Sequence, residues 1–169
     1  MGLLRKYYLK DDGIFPNNKL PVLYYPSILS LPPVFAATFV RNLFQRNGWS
    51  NAWKSGIYTF HHYHSNTHEV MGVYRGETTL LLGGEHGIRL VIKRGDVLII
   101  PAGVAHRNMG GESDVKCVGA YPNGLQYDMR YGKTEDRPAA DLTIENIPKP
   151  EKDPVLGKKG DSLIDNWHV

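Results

Sequence analysis

The chain has 169 residues, 41% hydrophobic and 22% charged, with a formal net charge of +3 and a pI near 8.9. That length suits one domain with a real core or one domain plus a tail. The basic residues are scattered, and the densest group (Lys149, Lys152, Lys158, Lys159) is interrupted by Glu151 and Asp153, so no stripe for nucleic acid is expected. No apolar run approaches the ~20 residues of a membrane span, and residues 1–10 lack the apolar core and cleavage site of a signal peptide. With Cys117 as the one cysteine an intramolecular disulfide is impossible, which fits a reducing compartment; the expected location is the cytoplasm.

Residues 1–53 read as a mixed N-terminal extension. Turn signals at Asp11-Asp12-Gly13 and Pro16-Asn17-Asn18 precede a short apolar stretch over 20–29. Ser30 then offers an N-cap, with Pro32 and Pro33 in the first turn of a helix. Phe35, Phe39 and Leu43, flanked by Val40 and Phe44, predict one apolar stripe on it, and Asn47-Gly48 a C-cap. Its expected task is to cover one side of the fold or a subunit interface.

Residues 54–122 read as the β core. Predicted strands cover 57–64, 69–74, 78–82, 88–92, 97–100 and 115–120, separated by turn signals at Gly76, Gly83-Gly84, Gly87, Gly95-Asp96 and Gly110-Gly111. Many short strands at this spacing indicate an all-β sandwich or barrel, and no solenoid or propeller repeat is visible. Residues 123–169 are polar and proline-rich. Isolated apolar residues (Leu142, Ile144, Ile147, Val155, Leu156, Leu163, Ile164, Trp167) predict a C-terminal extension that wraps the barrel.

The chemistry concentrates in 61–69, which holds His61, His62, His64, His68 and Glu69. On a strand alternate side chains share a face, so His62 and His64 point together, with Tyr58 and Phe60 on the same side. After the turn through Ser65-Asn66-Thr67, Glu69 can come opposite the histidine pair. Two imidazoles and a carboxylate suit divalent iron, manganese, zinc or nickel. A further ligand is expected from 95–108, where His106 follows the turn Pro101-Ala102-Gly103 and starts a strand that returns past the pair.

These two stretches resemble the motifs of the cupin family. The first fits G-x5-H-x-H-x3–4-E-x6-G at Gly56, His62, His64, Glu69 and Gly76; the second fits G-x5-P-x-G-x2-H-x3-N at Gly95, Pro101, Gly103 and His106. It departs at the end, where Gly110 stands in place of the asparagine and Asn108 lies nearby. A finer likeness, through H-Y-H-S-N-T-H-E-V-M-G-V-Y-R-G, P-A-G-V-A-H-R-N, Y-D-M-R-Y-G, R-P-A-A and D-P-V-L-G, is similar to the YjlB-like single-domain cupins and spans most of the chain from Gly56 onward. The resemblance implies a double-stranded β-helix (jelly-roll) barrel, a homodimer, and one divalent metal ion on His62, His64, Glu69 and His106.

The resemblance supplies no reaction, because cupins carry many. The leading expectation is a metal-dependent enzyme of oxygenase or isomerase type acting on a small organic molecule. The rival is a non-catalytic, metal-anchored small-molecule binder or sensor; a weaker third reading is an interaction module built on the helix and tail. Glu69 is the ligand best able to loosen and serve as a base, and the Tyr58 phenol is a candidate acid. His68, Phe60 and Asn108 are candidate pocket residues, and Arg130 can close over the mouth to clamp an acidic substrate. His61 is expected at the surface, His86 and His168 in solvent, and Cys117, Met71 and Val73 in the core.

Overall fold

The longest strand organises everything else. In the computed structural model, which describes residues 2–168, β4 runs without a break from Glu69 to Leu82. Its first half is buried on both faces and paired on both edges. Val70 sits opposite Ile99 of β6 (Val97–Ile100) on one side and Ala120 of β8 (Val115–Pro122) on the other. Its second half pairs with β5 (Ile88–Lys93) as a hairpin, and Leu80 to Leu82 also meet β7 (His106–Asn108).

Two separate strands over 69–74 and 78–82 were expected here, with a turn at Gly76. The strand instead stays continuous, and the irregularity is absorbed as a register shift between Val73 and Arg75 in the pairing with β8. Gly76, at φ +75°, is required at this bend, since a Cβ there would stand 2.1 Å from the Asp114 carbonyl oxygen.

The remaining strands extend the path. β1 (Arg5–Leu9) pairs with β2 (Asn18–Tyr25), β2 with β6, and β8 with β3 (Trp49–Ser55), all antiparallel. The order is β1-β2-β6-β4-β8-β3, with β5 and β7 branching from β4. The architecture is predominantly β and consistent with a cupin barrel, although the pairings among the described residues do not close a ring. Alternation along the strands makes two cores. Met71, Val73, Leu80, Leu98 and Cys117 fill the interior. Val70, Ile99, Val118 and Ala120 pack outward, against Val40 and Phe44 of α1 (Ala36–Arg46) and against Leu163 and Trp167 near the C-terminal end.

Three expectations need correction. The helix does not begin after Ser30: Phe35, left-handed at φ 58°, stands at the N-cap and Ala36 opens α1. Pro32 and Pro33 each push the residue before them out of helical backbone, so no turn nucleates until both are passed. The buried face is correspondingly Val40 and Phe44, while Phe35 is 81% exposed. The end is as expected, with the Gly48 N–H donating to the Gln45 carbonyl.

Residues 57–64 form no strand. Their bridges to neighbours are isolated ones, His62 to His106 and Tyr63 to Arg130, with separate hydrogen bonds from the Asn108 N–H to the Tyr58 carbonyl and from the Gly103 N–H to the His64 carbonyl, because the segment is pinched between β7 on one side and the 130 region on the other. Of the apolar residues expected to anchor the tail, Leu142 is 61% exposed, on the outer side of α2 (Ala139–Glu145), whereas Leu163 and Trp167 are fully buried.

Candidate metal centre

His62, His64 and His106 are all buried, and one ring nitrogen from each lies within 4.8 Å of the others. Two different pieces of chain bring them together: the irregular segment before β4 carries the pair, and β7 carries His106. The backbone bridge between His62 and His106, with N–H to carbonyl distances of 3.2 and 3.0 Å, sets the two rings 4.1 Å apart. Glu69, the first residue of β4, completes the group. Its Oε2 lies 3.4 Å from His64 Nε2, and its Oε1 lies 3.4 Å from His106 Nε2.

The outer nitrogens of the rings decide their protonation. His62 Nδ1 meets the Phe60 carbonyl at 3.0 Å, His64 Nδ1 the Asp128 carbonyl at 2.6 Å, and His106 Nδ1 the Val104 carbonyl at 3.0 Å. A carbonyl can only accept, so each Nδ1 carries the proton and donates. In its neutral form each ring then turns the lone pair of Nε2 inward. Two of these lone pairs face the Glu69 oxygens at 3.4 Å, acceptor against acceptor, and His106 Nε2 is buried with no hydrogen-bond partner. Such an arrangement calls for a cation between the groups. The donor set, imidazole nitrogens with a carboxylate oxygen, fits a divalent transition metal.

The electrostatics agree at His62 and Glu69, while at His64 they favour a proton on the ring, whose place a bound cation would take. Burial, followed by the neighbouring His106, pushes His62 down to about 3, so it stays neutral. Burial would raise the Glu69 carboxyl, but His64 and His106 outweigh it and hold it well below the usual range. At His64 burial is likewise outweighed, here by Glu69 and the Asp128 carbonyl, and the imidazole is raised. Glu69 Oε2 is further tied down. It accepts from the Tyr121 hydroxyl at 2.7 Å and from Trp53 Nε1 at 3.3 Å, and Trp53 also donates to the Tyr121 oxygen at 2.8 Å.

Beside these groups opens a cavity of about 140 Å³, walled by Trp53, Met71, Tyr121, Tyr127 and Met129 as well as by the histidines and Glu69. Tyr58 lines its mouth, 45% exposed, with its ring 5.4 Å from His62. The other candidate residues fall elsewhere. Phe60 stacks on Tyr58 just outside. His68 faces away, its Nδ1 accepting from the Ala102 N–H and its ring 4.7 Å from Trp167. Asn108 is held by the Thr78 hydroxyl and the Ile57 and Gly111 carbonyls. Arg130 is paired with Asp128 and Asp136 at 3.2 Å each.

Two residues of the site were not foreseen, Tyr121 and Trp53. The alternation of β8 marks which way Tyr121 points, but nothing in the sequence aligns it with Glu69.

Comparison with known proteins bears on the whole arrangement. The Cupin domain family model matches residues 53–119. Over 162 residues the chain is 38% identical to YjlB of Bacillus subtilis (strain 168), covering 95% of this chain and 94% of that one. The chain is a cupin. Among solved structures, this cupin is similar to the acireductone dioxygenase from Bacillus anthracis with cadmium ion in its active center. That match has 14% identity and a TM-score of 0.46, over 65% of this chain and 83% of that one. It is also similar to protein NMB1881 from Neisseria meningitidis, with 22% identity and a TM-score of 0.34 over 42% and 69% of the two chains. Among the described residues, no helix of this cupin is long and apolar enough to cross a membrane.

Proposed function

We propose that this cupin is a metal-dependent enzyme acting on a small organic molecule. One divalent ion is held by His62, His64, Glu69 and His106. The observation that carries this reading is the set of three Nδ1 protons committed to backbone carbonyls. It leaves Nε2 of each ring, with the Glu69 carboxylate, as the atoms available to hold an ion.

A bound metal supplies Lewis-acid or redox chemistry with positions left open for a substrate. The chain's own residues do the rest. The Tyr121 and Trp53 donors hold Oε2 of Glu69, so Oε1, beside His106, is the oxygen left without a hydrogen-bond donor to hold it. Trp53, Met71 and Met129 give part of the cavity wall an apolar surface, and Tyr58 at the mouth can present its hydroxyl to whatever enters. We propose further that 54–122 is the catalytic barrel and that 1–53 and 123–169 are its extensions. The enzyme works in the cytoplasm as a homodimer, for which exposed Val34 and Phe35 offer an apolar face.

The test is elemental analysis of protein purified without a histidine tag or chelator, alongside His62→Ala and His106→Ala. We expect about one transition-metal ion per chain in the parent and a loss of at least tenfold in each variant. Equal metal content in all three would overturn the ligand assignment, and no metal after reconstitution would overturn the reading itself.

A further inference from the structure

The cavity has a rim that its metal-binding residues do not explain. Tyr58, Phe60 and Tyr131 are 45%, 45% and 49% exposed, yet they gather at one place. Tyr58 and Phe60 stack with centroids 4.9 Å apart and planes 19° apart, and Phe60 lies 5.8 Å from Tyr131. Both Tyr58 and Phe60 also stand edge-on to His62, at 5.4 and 5.8 Å. Deeper in, Tyr127 stacks on Tyr121 at 4.9 Å. Three large rings left half in water, of which Tyr58 lines the cavity and the other two continue outward from it by ring contacts, contribute little to the core, and clustered exposed apolar surface of this kind marks a contact site.

Charge narrows what the site takes. Apart from the three histidines, Glu69 is the one ionisable acid or base bordering the cavity that is charged at neutral pH, and no lysine or arginine lines it. Of the arginines near the chain segments that form the site, Arg130 is spent on Asp128 and Asp136, and Arg137 is spent on Asp11 and Asp141. A phosphorylated or polyanionic compound would find no cationic side chain.

We propose that this rim is a substrate subsite for a flat, uncharged aromatic ring, held by stacking against Tyr58, Phe60 and Tyr131. It rests on the functional reading above for its purpose but not for its binding. The Phe60 carbonyl that holds His62 Nδ1 belongs to the same residue whose ring forms the stack. A ring docked on the rim is therefore positioned against the reacting groups by one short piece of backbone.

Binding of 4-methylphenol, measured by isothermal titration and by saturation-transfer NMR, tests the subsite. Cyclohexanol, methyl glucoside and inorganic phosphate serve as comparisons. The parent should prefer 4-methylphenol to all three, and Phe60→Ala and Tyr131→Ala should each weaken it by about two- to tenfold with metal content unchanged. The preference should persist in metal-free His106→Ala, which separates this proposal from the metal assignment. Equal or tighter binding of cyclohexanol, the glucoside or phosphate would overturn it. So would undiminished 4-methylphenol affinity in both rim variants.

Discussion

The two oxygens of Glu69 live in unlike surroundings. Oε2 accepts from the Tyr121 hydroxyl and the Trp53 indole, while Oε1 meets only His106 at 3.4 Å. The phenol is pushed up by burial and by the carboxylate it faces, so it remains a donor at any pH the fold survives. Replacing Tyr121 with Phe leaves Oε2 one donor short and lets the carboxylate rotate. Metal affinity in Tyr121→Phe should fall about 10- to 100-fold, read by competition with a chromophoric chelator; affinity equal to the parent would mean that Trp53 alone fixes the carboxylate. At this scale His62, His64, Glu69 and His106 were legible in the sequence because ligand types at motif spacing are themselves the signal. The partners that orient them were not, since three are backbone carbonyls, which every residue owns, and the other two, Trp53 and Tyr121, lie 16 and 52 positions along the chain from Glu69.

Elements were legible where burial and periodicity coincide. β6 is recovered to the residue because Val97 to Ile100 is apolar on both faces. β3, with the sequence W-S-N-A-W-K-S, is mostly exposed and carries no alternation strong enough to find. The strand expected over 57–64 is absent, because that segment makes only single bridges to neighbours far away in sequence, yet His62 and His64 still share one side with Tyr58, as alternation requires. The C-terminal segment was found by its isolated apolar residues, and the structure adds what fastens it. Asp153, fully buried, accepts from the N–H groups of Val155, Leu156 and Leu163 and from the Tyr25 hydroxyl. Trp167 is buried against the outer core and donates through Nε1 to the Pro21 carbonyl at 2.9 Å. Trp167→Ala should cost about 3–5 kcal/mol in urea unfolding. A loss below about 1 kcal/mol would show that this segment peels away without disturbing the sheet.

For the whole molecule, the decisive fact is how often the chain must return to one strand. β4 is hydrogen-bonded to β5, β6, β7 and β8, and β2 and β3 find their inner partners in β6 and β8. The exposed turn at Glu85 and His86 lies directly after β4, and among the described residues every strand pairing except β1 with β2 joins the chain before that turn to the chain after it. Severed there, 1–85 would keep a lone hairpin and 86–169 no paired strands, so each piece should be unfolded alone by circular dichroism. Mixed in equal amounts they should recombine into one cooperatively melting complex, and a piece that folded by itself would contradict the topology. Joined to two other proteins, the halves would make a complementation pair that reports proximity, and metal uptake would return only on reassembly because His62, His64 and Glu69 lie in one half and His106 in the other.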